Sequence, residues 1–244
     1  MELVRIAARL GEEVARLDLA RGPVTHVYNP LAYAWDRHRD YLARWGRRPR
    51  AVLVGMNPGP WGMAQTGVPF GDVVLVRDWL HIAGPVGRPS PEHPKRPVLG
   101  FDCPRREVSG QRLWGWARER FETPERFFEQ FFVLNYCPLC FMEASGRNRT
   151  PDKLPAADRE RLYRVCDPAL RAAVECLGPT HVLGVGGFAA GRVRQALAGL
   201  SVSLGQILHP SPASPRANRD WAGEVGASLA ALGLLGTNGG MGPK

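Results

Sequence analysis

The sequence predicts an α/β fold, a three-layer α/β/α sandwich around a central four-stranded parallel sheet. Three observations carry this. Four short apolar runs read as buried strands: Ala51–Gly55, the stretch from Phe127 ending at Asn135, Thr180–Val185 and Ser201–Leu208. Segments of helical length separate them, which demands crossovers and parallel pairing. No internal repeat and no long linker interrupts the alternation. Residues 1–235 are therefore expected to form one domain, followed by a flexible tail at 236–244.

The elements follow in order. Residues 2–20 carry apolar positions at helical spacing with charges between them. A second helix is expected over Leu31–Trp45, and its end is strongly basic: Arg37, Arg39, Arg44, Arg47, Arg48 and Arg50. The first strand then runs into a loop crowded with glycines 55, 59, 62, 67 and 71 and prolines 58, 60 and 69. Glycine lets backbone approach a ligand closely, and proline fixes its path. Such a loop at the end of a buried strand is where open α/β sheets place ligands, and Asn57, Gln65 and Phe70 within it favour a site. Val73–Ile82 reads as a short helix, Gly84–Pro104 as a surface loop, and Ser109 as the cap of a helix running to Phe121. After the second strand come a polar loop at Ala144–Pro155 and a long helix over Pro155–Leu177. Gly186-Gly187 opens a helix to Leu200, and a last helix covers Arg219–Leu234.

Composition narrows the function classes. The 244 residues are 44% hydrophobic with seven tryptophans, enough for a full core, and the formal net charge is +9. That charge favours a polyanionic partner, with the basic cluster around Arg47 and Arg48 as a phosphate-contact candidate. No run approaches the roughly 20 apolar residues of a membrane span, and the N-terminus lacks the basic-then-apolar order of a signal peptide. A cytoplasmic protein is expected. Five cysteines, an odd count, suit reduced thiols. Cys137 and Cys140 have metal-ligand spacing but no second close pair. Buried structural cysteines are the expected reading, with no metal or cofactor.

The strand ends bring Asn57, Asn135, Gly186 and His209 to one sheet edge. The nearest acids in sequence are Asp72 and Asp102. Lacking a strong base or nucleophile, such a cleft suits a substrate that largely falls apart by itself. A glycosidic bond to a good leaving group, breaking through an oxocarbenium-like transition state, is one. Asn57 would orient water, and His209 would donate a hydrogen bond to the departing charge.

The residues that carry this chemistry resemble those of the single-strand-selective monofunctional uracil-DNA glycosylases. The run from Gly55 to Gly71 resembles their first motif, and His209-Pro210-Ser211-Pro212-Ala213-Ser214-Pro215-Arg216-Ala217-Asn218 their second. Ser109–Trp116, Asn135–Leu139 and Ser145–Pro151 are similar to intervening segments. The resemblance implies base excision from DNA: a damaged base is flipped and its N-glycosidic bond hydrolysed, leaving an abasic site. It implies water positioning by Asn57, leaving-group stabilisation by His209, a base-binding pocket from Met56, Gly59, Phe70 and Asn135, and a DNA wedge at Ser211–Arg216. Phe70 would stack on the base and Asn135 read its edge. Ala213 stands where some members have arginine, with Arg216 as a substitute. It further implies a monomer working where DNA is held, nucleoid or nucleus. Gly59, without a side chain, would admit 5-hydroxymethyluracil beside uracil. An iron–sulfur-type uracil glycosylase and a non-catalytic binder of damaged or single-stranded DNA remain the alternatives, and Gly184-Val185-Gly186-Gly187 also suggests nucleotide binding.

Overall fold

The computed structural model describes residues 2–236; the expected tail beyond 236 lies outside the described residues. The chain opens with α1 (Glu2–Ala15), β1 (His26–Tyr28), α2 (Pro30–Tyr33), α3 (Trp35–Trp45) and β2 (Ala51–Gly55). The glycine-rich segment contains α4 (Met63–Thr66) and leads to α5 (Val73–Asp78). Next come α6 (Val108–Phe121), α7 (Pro124–Gln130), β3 (Phe131–Asn135), β4 (Cys140–Met142) and β5 (Asn148–Arg149). The last third holds α8 (Ala156–Leu177), β6 (His181–Val185), α9 (Gly187–Ala196), β7 (Ser203–Ile207) and α10 (Pro215–Ala231).

The central sheet is four-stranded and wholly parallel, in the order β3-β2-β6-β7. All five β2 residues are buried, as expected of a strand covered on both faces. Helices α8 and α9 pack together, and α9 lies on β6 and β7. The α6–α7 pair and α10 pack on β3 and β7. Tyr41 of α3 stacks on Phe132 at 5.2 Å between ring centroids and donates its hydroxyl to the Val133 carbonyl at 2.8 Å. After β2 the chain moves outward to β3, then returns to place β6 on the other side of β2. That reversal opens a crevice at the carboxyl ends of the strands. The register sets Gly55 beside Asn135, so residues after the two strands emerge together.

The structure differs from the sequence expectation at several places. A second, antiparallel sheet, β1-β4-β5, was not foreseen, because its strands are only two or three residues long and show no readable alternation. It occupies part of the segment expected as polar loop. Helix α1 stops at Ala15, although Leu19 is still buried beyond it. Helix α5 stops at Asp78 because the chain turns at His81, which has a positive φ of 55°. The cap of α6 is Glu107, whose carboxylate accepts the Ser109 N–H at 3.3 Å. Helix α10 starts four residues before the expected Arg219, because Ser214 caps it and Pro215 occupies its first turn. Asp220 kinks it. The 84–104 segment is not all surface, since His93 and Val98 are buried. Among the described residues no helix is long and apolar enough to cross a membrane.

Gly184 and Gly186 have packing reasons. A Cβ at Gly184 would stand 2.1 Å from the Ala190 backbone nitrogen, so the strand lets α9 lie directly on it. Gly184→Ala must push that helix backbone away. Its unfolding free energy in a urea titration should fall by about 2–3 kcal/mol, as overpacking costs elsewhere.

Candidate active site

A cavity of about 410 Å³ opens at the carboxyl ends of β2, β3 and β7. Its lining includes Met56, Asn57, Gly59, Phe70, Asn135, His209 and Ser211, which the sequence had marked. It also includes Gly62, Met63, Glu107, Ser109, Asn148 and Thr150.

Asn57 leaves β2 two residues beyond its end. Its NH₂ donates to the carbonyls of Pro58 and Leu139, both at 3.1 Å. The amide orientation is therefore fixed, and Oδ1 remains as an acceptor at the cavity. Asn135 ends β3, with its NH₂ 3.3 Å from Met63 Sδ. Gly55 lies beneath both groups. A Cβ there would stand 2.5 Å from Asn135 Oδ1 and 2.5 Å from Phe70 Cε2, so the ring and the amide meet over a bare backbone. Phe70 itself has a positive φ of 54°. This strained geometry is held from outside: Trp114 Nε1 donates to the Pro69 carbonyl at 3.1 Å, and Gly110 of α6 packs against the Phe70 carbonyl.

The rest of the glycine-rich segment is scaffold. Gln65, suggested by sequence as part of a site, is fully buried and spends its amide on structure. Its NH₂ donates to Pro60 and Pro97 carbonyls at 2.8 and 3.0 Å, and its Oε1 accepts the Leu99 and Gly100 N–H groups at 2.8 and 3.2 Å. It staples the loop to the 84–104 segment. Thr66 Oγ1 donates within the loop, and His38 of α3 hydrogen-bonds the Gly67 carbonyl at 2.7 Å. Asp72 is also structural. Its carboxylate accepts both Arg106 nitrogens, at 2.7 and 2.8 Å, and caps α5 through Leu75 N–H. Asp102 sits in a separate short 3₁₀ turn, Gly100–Asp102, away from this cavity.

His209 follows β7, with its ring centroid 6.0 Å from that of Phe70. Gly186, at φ 88°, makes room for it: a Cβ there would lie 3.1 Å from His209 Cβ. Burial lowers the imidazole pKa to about 4, so the ring is neutral near pH 7. The loop after it is pinned by a residue the sequence did not single out. Arg112 of α6 donates to the Pro210 and Ser211 carbonyls at 3.2 Å each and to Asn218 Oδ1 at 2.8 Å, while Asn218 donates to Pro212. Pro212 and Ala213 are exposed at the tip, and Ser214 and Pro215 begin α10. Arg216 points along that helix to Glu224 at 2.5 Å rather than standing free.

Two expectations are corrected. Arg47 and Arg48 precede β2, whose amino end hydrogen-bonds through Arg50 to Thr180. The cavity lies at the other end of that strand, roughly 16 Å away for five residues. Arg47 and Arg48 are thus at the end of the sheet away from the cavity, whereas Arg37 and Arg44 of the same run reach the turn at His81–Gly84. Nor does the cleft lack a carboxylate. Glu107, 35 residues beyond Asp72, is brought into the lining by the cap of α6, and burial pushes its carboxyl up from its ordinary value. Cys137 and Cys140 are buried, with thiols near the Leu139 carbonyl and Asn148 Oδ1. Among the described residues no three His, Cys, Asp or Glu side chains gather to hold a metal.

The profile of the Uracil DNA glycosylase superfamily matches residues 44–226. The chain is 52% identical over 230 residues to a mouse (Mus musculus) protein named single-strand selective monofunctional uracil DNA glycosylase. The match covers 93% of this chain and 82% of that one. A rat (Rattus norvegicus) protein of the same name is 53% identical, with the same coverage, and a cattle (Bos taurus) one is 53% identical over 93% and 84%. Among solved structures, wild-type Pedobacter heparinus SMUG2 aligns with a TM-score of 0.65 at 17% identity, covering 98% of this chain and all of that one. That likeness is one of fold.

His38 yields a pH prediction independent of activity. It is fully enclosed, and desolvation lowers its pKa from 6.5 to about 4. Between those values the unfolded chain binds a proton that the folded one refuses. Stability is therefore complete above pH 6.5 and declines as pH falls towards 4, by about 3 kcal/mol from His38. His209 adds a smaller loss, since it faces an open cleft. Denaturant midpoints from pH 7 to 4.5 should fall, and His38→Gln should flatten the fall.

Proposed function

The chain belongs to the uracil-DNA glycosylase superfamily and, within it, to the single-strand selective monofunctional uracil-DNA glycosylases; from that premise we propose how its cleft works and which bases it releases. The protein is a DNA-repair hydrolase of N-glycosidic bonds that acts on uracil in DNA. The observation that carries the mechanism is the amide of Asn57, a cavity-lining residue whose NH₂ is spent on two carbonyls, which leaves Oδ1 as its free acceptor. Oδ1 accepts a hydrogen bond from a water and aims it at C1′. The N1–C1′ bond breaks first in the transition state, its electron pair staying on the base; the water oxygen then bonds to C1′ as one of its O–H bonds breaks, and the proton released neutralises the departed uracil anion, directly or through solvent. His209, neutral near pH 7, donates a hydrogen bond to the anionic base rather than a proton.

The base is flipped and lies over Phe70, with its Watson–Crick edge towards Asn135 and Met56 nearby. The Asn135 amide accepts from uracil N3–H and donates to O4; cytosine reverses both polarities and leaves a buried amide unpaired. Gly59 leaves space beside C5, which supports release of 5-hydroxymethyluracil as well as uracil. The Ser211–Ser214 loop, held by Arg112, is a short wedge of Pro212 and Ala213, with Ser214, Pro215 and Arg216 behind it. A wedge without a long side chain suits single-stranded or weakly paired substrates, where flipping costs least. The protein acts as a monomer in the compartment that holds DNA.

Asn57→Ala and His209→Ala should each slow single-turnover release of uracil by roughly 10²-fold or more. Borohydride should trap no covalent adduct with DNA, since no amine lines the cavity. Near-normal rates in both variants contradict the assignment. For DNA binding, Arg105 and Arg147 are exposed and flank segments that line the cleft. Replacing both with alanine should flatten the dependence of affinity on salt by about two counterions. Replacing Arg47 and Arg48 should leave that slope unchanged.

A further inference from the structure

Asn135 and His209 come from opposite edges of the central sheet. Asn135 ends β3, His209 follows β7, and β2 and β6 lie between those strands. Three strand spacings, roughly 14 Å, therefore separate the two outer strands. A chain of contacts through α8 and α9 spans that width outside the cavity lining. Tyr136, next after Asn135, is buried and donates its N–H to the Gly55 carbonyl at 2.9 Å. Its hydroxyl donates to Asp167 Oδ1 of α8 at 2.7 Å. Asp167 Oδ2 accepts from the guanidinium of Arg192 in α9. The guanidinium carbon lies 3.9 Å from the Tyr163 ring centroid and 5.5 Å from that of Tyr136. Phe188, in the first turn of α9, completes the set, its ring centroid 6.0 Å from that of Tyr136. That turn is preceded by Gly186, where a Cβ would lie 3.1 Å from His209 Cβ.

Stability alone does not call for an ion pair here. The Arg192 side chain is only 11% exposed, and its Nε is buried with no hydrogen-bond partner among the described residues. Desolvating such a pair offsets most of its attraction, and apolar side chains of similar volume often stabilise as well or better. Apolar side chains, however, fix no direction. The Asp167 carboxylate accepts the Tyr136 hydroxyl on one oxygen and Arg192 on the other, so the end of β3, α8 and α9 meet in one arrangement. We propose that Arg192 is a positioning residue: through Asp167 and Tyr136 it ties the end of β3 to the start of α9 and so sets the span between Asn135 and His209. This rests on the roles proposed above for those two side chains. A base held at its edge by one, with its departing charge met by the other, is sensitive to that span. A misplacement of about 1 Å can cost on the order of 10²-fold in rate.

The test is the double variant Asp167→Asn/Arg192→Met, made in the wild-type protein and again in His209→Ala. It leaves no unpaired charge and keeps an acceptor for the Tyr136 hydroxyl, but it cuts the link to α9. Its thermal midpoint should stay close to that of the parent protein. Uracil release in single turnover at saturating protein should slow by roughly 10-fold. The protein concentration giving half the maximal rate should not change, because the DNA contacts lie elsewhere. In the His209→Ala background the same two changes should cost about 2-fold or less, since the span to an imidazole no longer matters there. Arg192→Lys keeps a cation for Asp167 and should lose far less than the double variant. Equal costs in the two backgrounds overturn the proposal, because a merely structural role acts additively. A wild-type rate in the double variant, or a rate loss accompanied by a matching fall in the midpoint, overturns it too. Should the double variant fail to fold, Tyr136→Phe removes only the hydroxyl and should slow release in the wild-type background alone; an unchanged rate overturns the proposal. Wild type that releases no uracil overturns it together with the proposed function, whereas uracil release with additive costs overturns it alone.

Discussion

Everything in the cleft depends on the missing side chain at Gly55. Parallel pairing in register sets that residue opposite Asn135 at the point where two buried strands end. One methyl group there would collide with Asn135 Oδ1 and the Phe70 ring at once. The absence of a side chain lets the Phe70 ring and the Asn135 amide come together over the backbone. The surrounding structure serves that meeting. Phe70 is held at positive φ by α6, which brings Gly110 and Trp114 against it, and α6 is in turn anchored where Glu107 and Arg106 meet the buried Asp72.

The same economy explains how weak chemical groups suffice. Asn57 and His209 are both neutral near pH 7, and neither takes a proton in the proposed reaction. In that proposal they act by being placed in advance: the Asn57 amide is held by two carbonyls, and His209 packs over the bare backbone of Gly186 at the start of the loop that Arg112 clamps. Preorganised dipoles of this kind need no rearrangement at the moment of bond breaking. A leaving group as stable as the uracil anion requires no more.

Much of this was legible in the sequence, for physical reasons that also mark where legibility ended. A strand buried on both faces has to be continuously apolar, so Ala51–Gly55 and the run ending at Asn135 declared themselves, and with them the edge carrying Asn57, Asn135 and His209. The glycine-rich loop announced close backbone approach. It did not reveal that Gln65 is a staple and Asp72 an anchor, because a buried amide and a site amide look alike until their partners are known. Glu107 was missed because its place depends on how α6 is capped, a contact between segments 35 residues apart. The charge of Arg47 and Arg48 is visible in the sequence, but charge does not say which end of a sheet it occupies. The antiparallel strands were too short to show any period, yet they carry Asn148 and Thr150 to the rim.

The most direct test of the central claim is the single-turnover rate of uracil release by Gly55→Ala, measured beside its thermal midpoint. The added methyl stands against two side-chain ends rather than backbone, so they can shift aside and the fold should survive with a modest loss of stability. Phe70 and Asn135 will then no longer meet, and the rate should fall by roughly 10²-fold or more. A folded Gly55→Ala protein that releases uracil at the wild-type rate would contradict the account.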